Sequence, residues 1–85
     1  MDHTTTSGAS VFEHDGIWWL SLESSTTEVI ETVKIDWDGM GGFYQAGLNH
    51  VAPMLEARGL RYTSWAELNG LYTSVLHRPA SWGPR

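Results

Sequence analysis

Residues 10–23 read SVFEHDGIWWLSLE. Two apolar runs rich in β-formers flank Asp15-Gly16, a dipeptide that favours the two-residue type I′ turn joining hairpin strands. That turn fixes the register. His14 faces Ile17, Glu13 faces Trp18, Phe12 faces Trp19, and Val11 faces Leu20. Side chains alternate across a strand, so Val11, Trp18, Leu20 and Leu22 share one face. Phe12, Ile17, Trp19 and His14 share the other. Trp18 and Trp19 are adjacent and therefore point to opposite sides. Either helices cover both sides of the sheet, or an aromatic patch faces solvent and waits for a partner.

Working outward, residues 1–8 are polar and read as a tail. Ser24 to Thr27 is a polar break. Val29 to Trp37 sets Val29, Val33, Ile35 and Trp37 against Thr32, Lys34 and Asp36, which reads as a third strand. Its rival is a short helix capped by Ser25 with Glu28 three residues on. Glu31 fits the strand badly, because it lands on the apolar face. Asp38 to Gly42 is a glycine-rich turn. From Phe43 to Arg58 the period changes to 3.6, with Tyr44, Leu48, Val51 and Leu55 in a stripe and Phe43 and Met54 as further candidates for it. Pro53 lies inside that helix, and Gly59 is placed to stop it. Ser64 and Glu67 have capping-box spacing ahead of Trp65, Leu68, Leu71, Tyr72, Val75 and Leu76, which reads as a last helix ended by Pro79.

The expected fold is α+β with the order β-β-β-α-α. It is a small antiparallel three-stranded sheet, the N-terminal hairpin plus one strand, packed with two C-terminal helices. The expected organisation is a tail at 1–8, a single compact domain at 9–79 and a C-terminal tail at 80–85.

The chain has 85 residues and no cysteine. Disulfides and thiolate chemistry are excluded, and the composition fits a reducing cytoplasm. The longest apolar run, Ile17 to Leu20, is far short of the roughly 20 residues that a membrane span needs. Charge is uneven. Up to Asp38, eight acidic residues face Lys34 alone, and beyond it four arginines face Glu56 and Glu67. An acidic front half repels nucleic acid phosphate and attracts basic protein surfaces.

Catalytic and metal motifs are weak. Gly39-Met40-Gly41-Gly42 lacks the third glycine of a phosphate-binding fingerprint, because Tyr44 stands there, and Asp36 and Asp38 flank it. Those two aspartates lack the later ligands of a calcium loop. His3, His14, His50 and His77 have no zinc spacing. No serine lies in a nucleophile elbow. The reading is therefore a non-enzymatic binding protein with no cofactor and no metal. Its partner is a protein with a basic surface, not nucleic acid directly and not a membrane. The chain itself is expected as monomer or homodimer. Its contact surface is assigned to Phe12, Glu13, Asp15, Trp19, Glu28, Glu31, Asp36 and Asp38. One concrete form is an inhibitor that imitates nucleic acid charge. Small acidic anti-CRISPR and anti-restriction proteins are similar in size and charge, a similarity of composition that covers no motif. The alternatives are a self-associating scaffold module, which would pair through hairpin edges and the spare aromatic face, and a small enzyme or ligand carrier.

Overall fold

The computed structural model describes residues 6–24, 26 and 28–77. Strands β1 (Thr6–His14), β2 (Ile17–Ser24) and β3 (Val29–Ile35) come first. A wide helical turn of the π type at Phe43–Gly47 leads into α1 (Leu48–Glu56). Strands β4 (Arg61–Leu68) and β5 (Leu71–His77) follow. The five strands form one antiparallel sheet in the order β3-β2-β1-β5-β4. The expected three-stranded sheet with two helices is thus corrected to five strands and one helix; the class remains mixed α+β.

The first hairpin forms as its turn dictates. Asp15 and Gly16 both take positive φ, 55° and 79°, as a type I′ turn requires. The four pairs from His14↔Ile17 to Val11↔Leu20 are those the turn implies. Strand β3 continues the sheet, with Trp18 opposite Ile35 and Leu20 opposite Val33. Glu31 lies opposite Leu22, on the side of the helix. Its misfit is resolved by Arg58 from beyond α1, whose Nε and Nη2 donate to the two carboxylate oxygens at 3.2 and 3.0 Å.

The expected last helix is a second hairpin. Asn69 and Gly70 have φ of 53° and 83°, so this turn repeats the geometry of the first. Glu67, which read as the third residue of a helix cap, instead accepts the Gly70 N–H at 2.8 Å through Oε2. The apolar residues that looked like one helical stripe divide between two sides. Trp65, Tyr72 and Leu76 turn toward the core, while Leu68, Leu71 and Val75 are exposed. Pro79 and the expected tail at 80–85 lie outside the described residues.

The core lies between the sheet and α1, and comprises Ala9, Val11, Leu20, Leu22, Ile35, Trp37, Phe43, Val51, Leu55, Leu60 and Leu76. The wide turn at Phe43–Gly47 shifts the helical phase, so Phe43 is buried and Tyr44 is exposed. Gly47 is required there: a Cβ would stand 2.9 Å from both the Trp37 and Phe43 rings. Helix α1 keeps Pro53 inside it and closes on Gly59 at φ 72°. Leu60 N–H donates to Leu55 O and Gly59 N–H to Glu56 O. This is the paired arrangement that satisfies carbonyls at a helix end, and it buries Leu60 against Leu55.

Candidate functional site: the uncovered face of the sheet

Among the described residues, one helix covers one side of the sheet and none covers the other, and the adjacent tryptophans divide accordingly. Trp18 packs on Trp37 at 4.7 Å between ring centroids. Phe43 stacks on Tyr72 at 4.2 Å and meets Trp65 at 5.1 Å. These rings fill the space under the helix. Trp19 stands on the other side, paired across the strands with Phe12, and both remain half-buried. With His14 and Thr32 they line an apolar dish of about 200 Å³.

The sequence-assigned residues separate into two groups. Phe12 and Trp19 share the uncovered face. Asp15 lies in the hairpin turn beside them. Asp36 and Asp38, just past β3, line a hollow together with Gly16 and Ile17 and so stand at the same end of the sheet. Glu13 reaches that end too, but opposite Trp18, on the helix side. All four of these carboxylates are exposed. Asp38 also has a local role, accepting the Met40 N–H at 2.9 Å. The His14–Asp15 contact of 3.4 Å joins two side chains largely in water and contributes little.

Glu28 and Glu31 lie toward the far end. Glu28 closes the turn between β2 and β3, its carbonyl accepting the Ser24 N–H. Glu31 is held by Arg58, whose guanidinium hydrogen bonds keep its carboxyl below the ordinary carboxylate range. The same bonds raise Arg58. The structure therefore puts Asp15, Asp36 and Asp38 at the end of the sheet that carries Phe12 and Trp19, with Lys34 opposite Trp19 among them, and leaves Glu28 and Glu31 apart.

The uncovered face holds more than the sequence reading assigned. Beside the Phe12–Trp19 row runs a cross-strand row of small residues: Thr32 opposite Ser21, Ser21 opposite Ser10, Ser10 opposite Thr73, and Thr73 opposite Ala66. One row further, Glu23 lies opposite Gly8 and Val29. Its Oε2 accepts the Ser10 hydroxyl at 2.9 Å. The alternation Trp19, Ser21, Glu23 along β2 was the signal that placed this carboxylate on the aromatic side.

Among the described residues, no group of three or more His, Asp or Glu is placed to hold a metal ion. No helix among them is long and apolar enough to cross a membrane. Compared with protein-family models, with curated proteins and with solved structures, the chain matches none.

Proposed function

We propose that this chain is a non-enzymatic binding module that docks the Phe12–Trp19 face, with its acidic end, onto a basic surface of another protein. The observation that carries this reading is the half-buried aromatic pair on a sheet face that no helix among the described residues covers, with Asp15, Asp36 and Asp38 at its end and Lys34 opposite Trp19 among them. Tryptophan is the residue type most enriched at interface hot spots. Exposed carboxylates at one end add long-range steering toward a positive partner. In its most specific form, the module blocks a nucleic-acid-handling protein by offering carboxylates where phosphates would sit.

The test is co-purification from the source cell with the wild-type chain and with Asp15, Asp36 and Asp38 each changed to lysine. A partner held by the wild type at low salt, and released by the triple variant, supports the reading, with circular dichroism confirming that the variant is folded. Equal retention by both overturns the charge mechanism. Self-association is a second reading, favoured by the lack of a strand neighbour on the outer sides of β3 and β4 among the described residues, since such edges template further pairing. Light scattering at high concentration separates the two: a strict monomer removes self-association.

A further inference from the structure

The two outer strands of the sheet differ in how open their free sides are. Strand β3 pairs with β2 without interruption from Glu31 to Ile35. Strand β4 is interrupted between Tyr62 and Trp65, and such an irregularity blunts an edge. The bonding pattern of β3 follows from the first turn. A two-residue turn closes on a hydrogen-bonded pair, here His14 and Ile17, and such pairs recur at every second position. Ile17, Trp19 and Ser21 therefore bond to β1, which leaves Trp18, Leu20 and Leu22 to bond to β3. Their opposites are Ile35, Val33 and Glu31. The N–H and C=O groups of Thr32 and Lys34 consequently point away from the sheet, and both residues are exposed. Val29 and Ile30 are exposed beside them. Neither Lys34 nor Glu28 makes an ion pair among the described residues.

We propose that β3 pairs antiparallel with β3 of a second copy of this chain, about a two-fold axis that passes through the seam at Thr32, perpendicular to the sheet. This rests on the self-association reading and names its seam. The strand is complementary to itself. Thr32 is the midpoint of Val29–Ile35, so pairing about it engages the whole strand through the outward groups of Thr32 and Lys34. Lys34 then lies opposite Ile30 of the second copy, with Glu28 of that copy about 7–8 Å away on the diagonal, within a lysine's reach. The two-fold axis makes this contact twice. Two threonines meet at the centre, a favourable cross-strand pair. On the helix side Glu31 faces Val33, and the diagonal Glu31 of the second copy arrives already paired with its own Arg58. Other registers fit worse. Centring on Glu31 sets two carboxylates directly opposite, centring on Lys34 sets two ammonium groups opposite, and centring on Val33 moves Lys34 away from Glu28. The axis keeps both helices on one side, so the dimer presents two Phe12–Trp19 faces side by side on the other.

Sedimentation equilibrium of the full chain should show a dimer that forms with rising concentration. The run is made at about 0.15 M salt, which screens most of the repulsion between two acidic chains. Lys34→Glu and Glu28→Lys should each weaken the dimer about tenfold, because each turns two attractions into two repulsions. The second should do so even though it reduces the net negative charge. The double variant exchanges the two charges and should recover most of the loss. Circular dichroism confirms that all three are folded. The chain has no cysteine, so Thr32→Cys reports the centre of the seam. Its two Cα atoms would stand about 5.5 Å apart, which suits a disulfide. Oxidised glutathione should link this variant much faster than Ala66→Cys on β4. A strict monomer would overturn both the seam and self-association. A dimer of equal affinity in every charge variant, or one that links at position 66 as fast as at position 32, would overturn the seam alone. The reading of a basic partner, tested through Asp15, Asp36 and Asp38, stands in either event.

Discussion

The two hairpins, β1–β2 and β4–β5, are built on the same turn and carry very different loads. Asp15-Gly16 and Asn69-Gly70 adopt nearly the same pair of positive φ angles. In the first hairpin the inward row Ala9, Val11, Leu20 and Leu22 is sealed. Both of its strands have neighbours on each side. In the second hairpin, β4 is an edge, and Leu68 and Val75 are 71% and 66% exposed. Its inward residues hold to the core through Phe43, on which Tyr72 stacks and which Trp65 meets edge-on. A turn sets the register of a hairpin, whereas its stability comes from what lies beneath each strand.

That contrast breaks most sharply at two leucines. Leu20→Ala in the first hairpin removes a fully buried side chain and should cost about 2–5 kcal/mol. Leu71→Ala, on the outward side of the second, should stay within about 0.5 kcal/mol. Urea unfolding of the two variants measures both. Comparable losses would mean that the second hairpin carries as much of the core as the first.

The turns themselves should behave alike. Gly16→Ala and Gly70→Ala each force a Cβ into a left-handed conformation, and each should lose about 1–2 kcal/mol. The sign at Gly70 is the useful part. In a helix, alanine would stabilise by about 1 kcal/mol relative to glycine. Chemical denaturation of Gly70→Ala therefore distinguishes hairpin from helix without a structure. A gain in stability would restore the helix and remove β4 and β5.

Why the first hairpin was legible and the second was not comes down to particular residues. Around Asp15-Gly16 the sequence has no helical alternative, so alternation and turn chemistry agree. Around Asn69-Gly70 they compete. Trp65, Leu68, Leu71, Tyr72, Val75 and Leu76 fall at helical spacing only because Leu68, Leu71 and Val75 are apolar residues left exposed. The Asn-Gly pair is among the strongest hairpin signals, but the chance periodicity around it points the other way. Ser64 and Glu67 reinforced the error, since the carboxylate that caps the Gly70 N–H sits at the spacing of a helix cap. The phase error at Tyr44 has another origin: the wide turn at Phe43–Gly47 adds a residue that a 3.6 period cannot anticipate. At the site, the Phe12–Trp19 pairing was readable from register. The far position of Glu28 and Glu31 was not, because it depends on a sheet order that the sequence reading lacked.

The smallest difference between the two sides of the sheet concerns how each is tied down. β3, the outer neighbour of the first hairpin, is tied to the end of α1 by Glu31 and Arg58, residues 27 apart in sequence. On the β4 side the only side-chain hydrogen bond to the helical segment among the described residues is a neutral one, Tyr44 OH donating to Trp65 O at 3.2 Å. Arg58 lowers the Glu31 carboxyl in the folded state. The contribution is therefore complete above the ordinary carboxylate range and is lost as pH falls through the lowered folded value. The pair is largely in water, so solvent and salt screen it, and the effect on global stability is slight. Glu31→Gln should make β3 amides exchange hydrogen somewhat faster at neutral pH, leave β4 unchanged, and flatten the acid side of the stability curve. Faster exchange spread equally over β3 and β4 would show that Glu31 acts on the whole sheet and does not tie one edge alone.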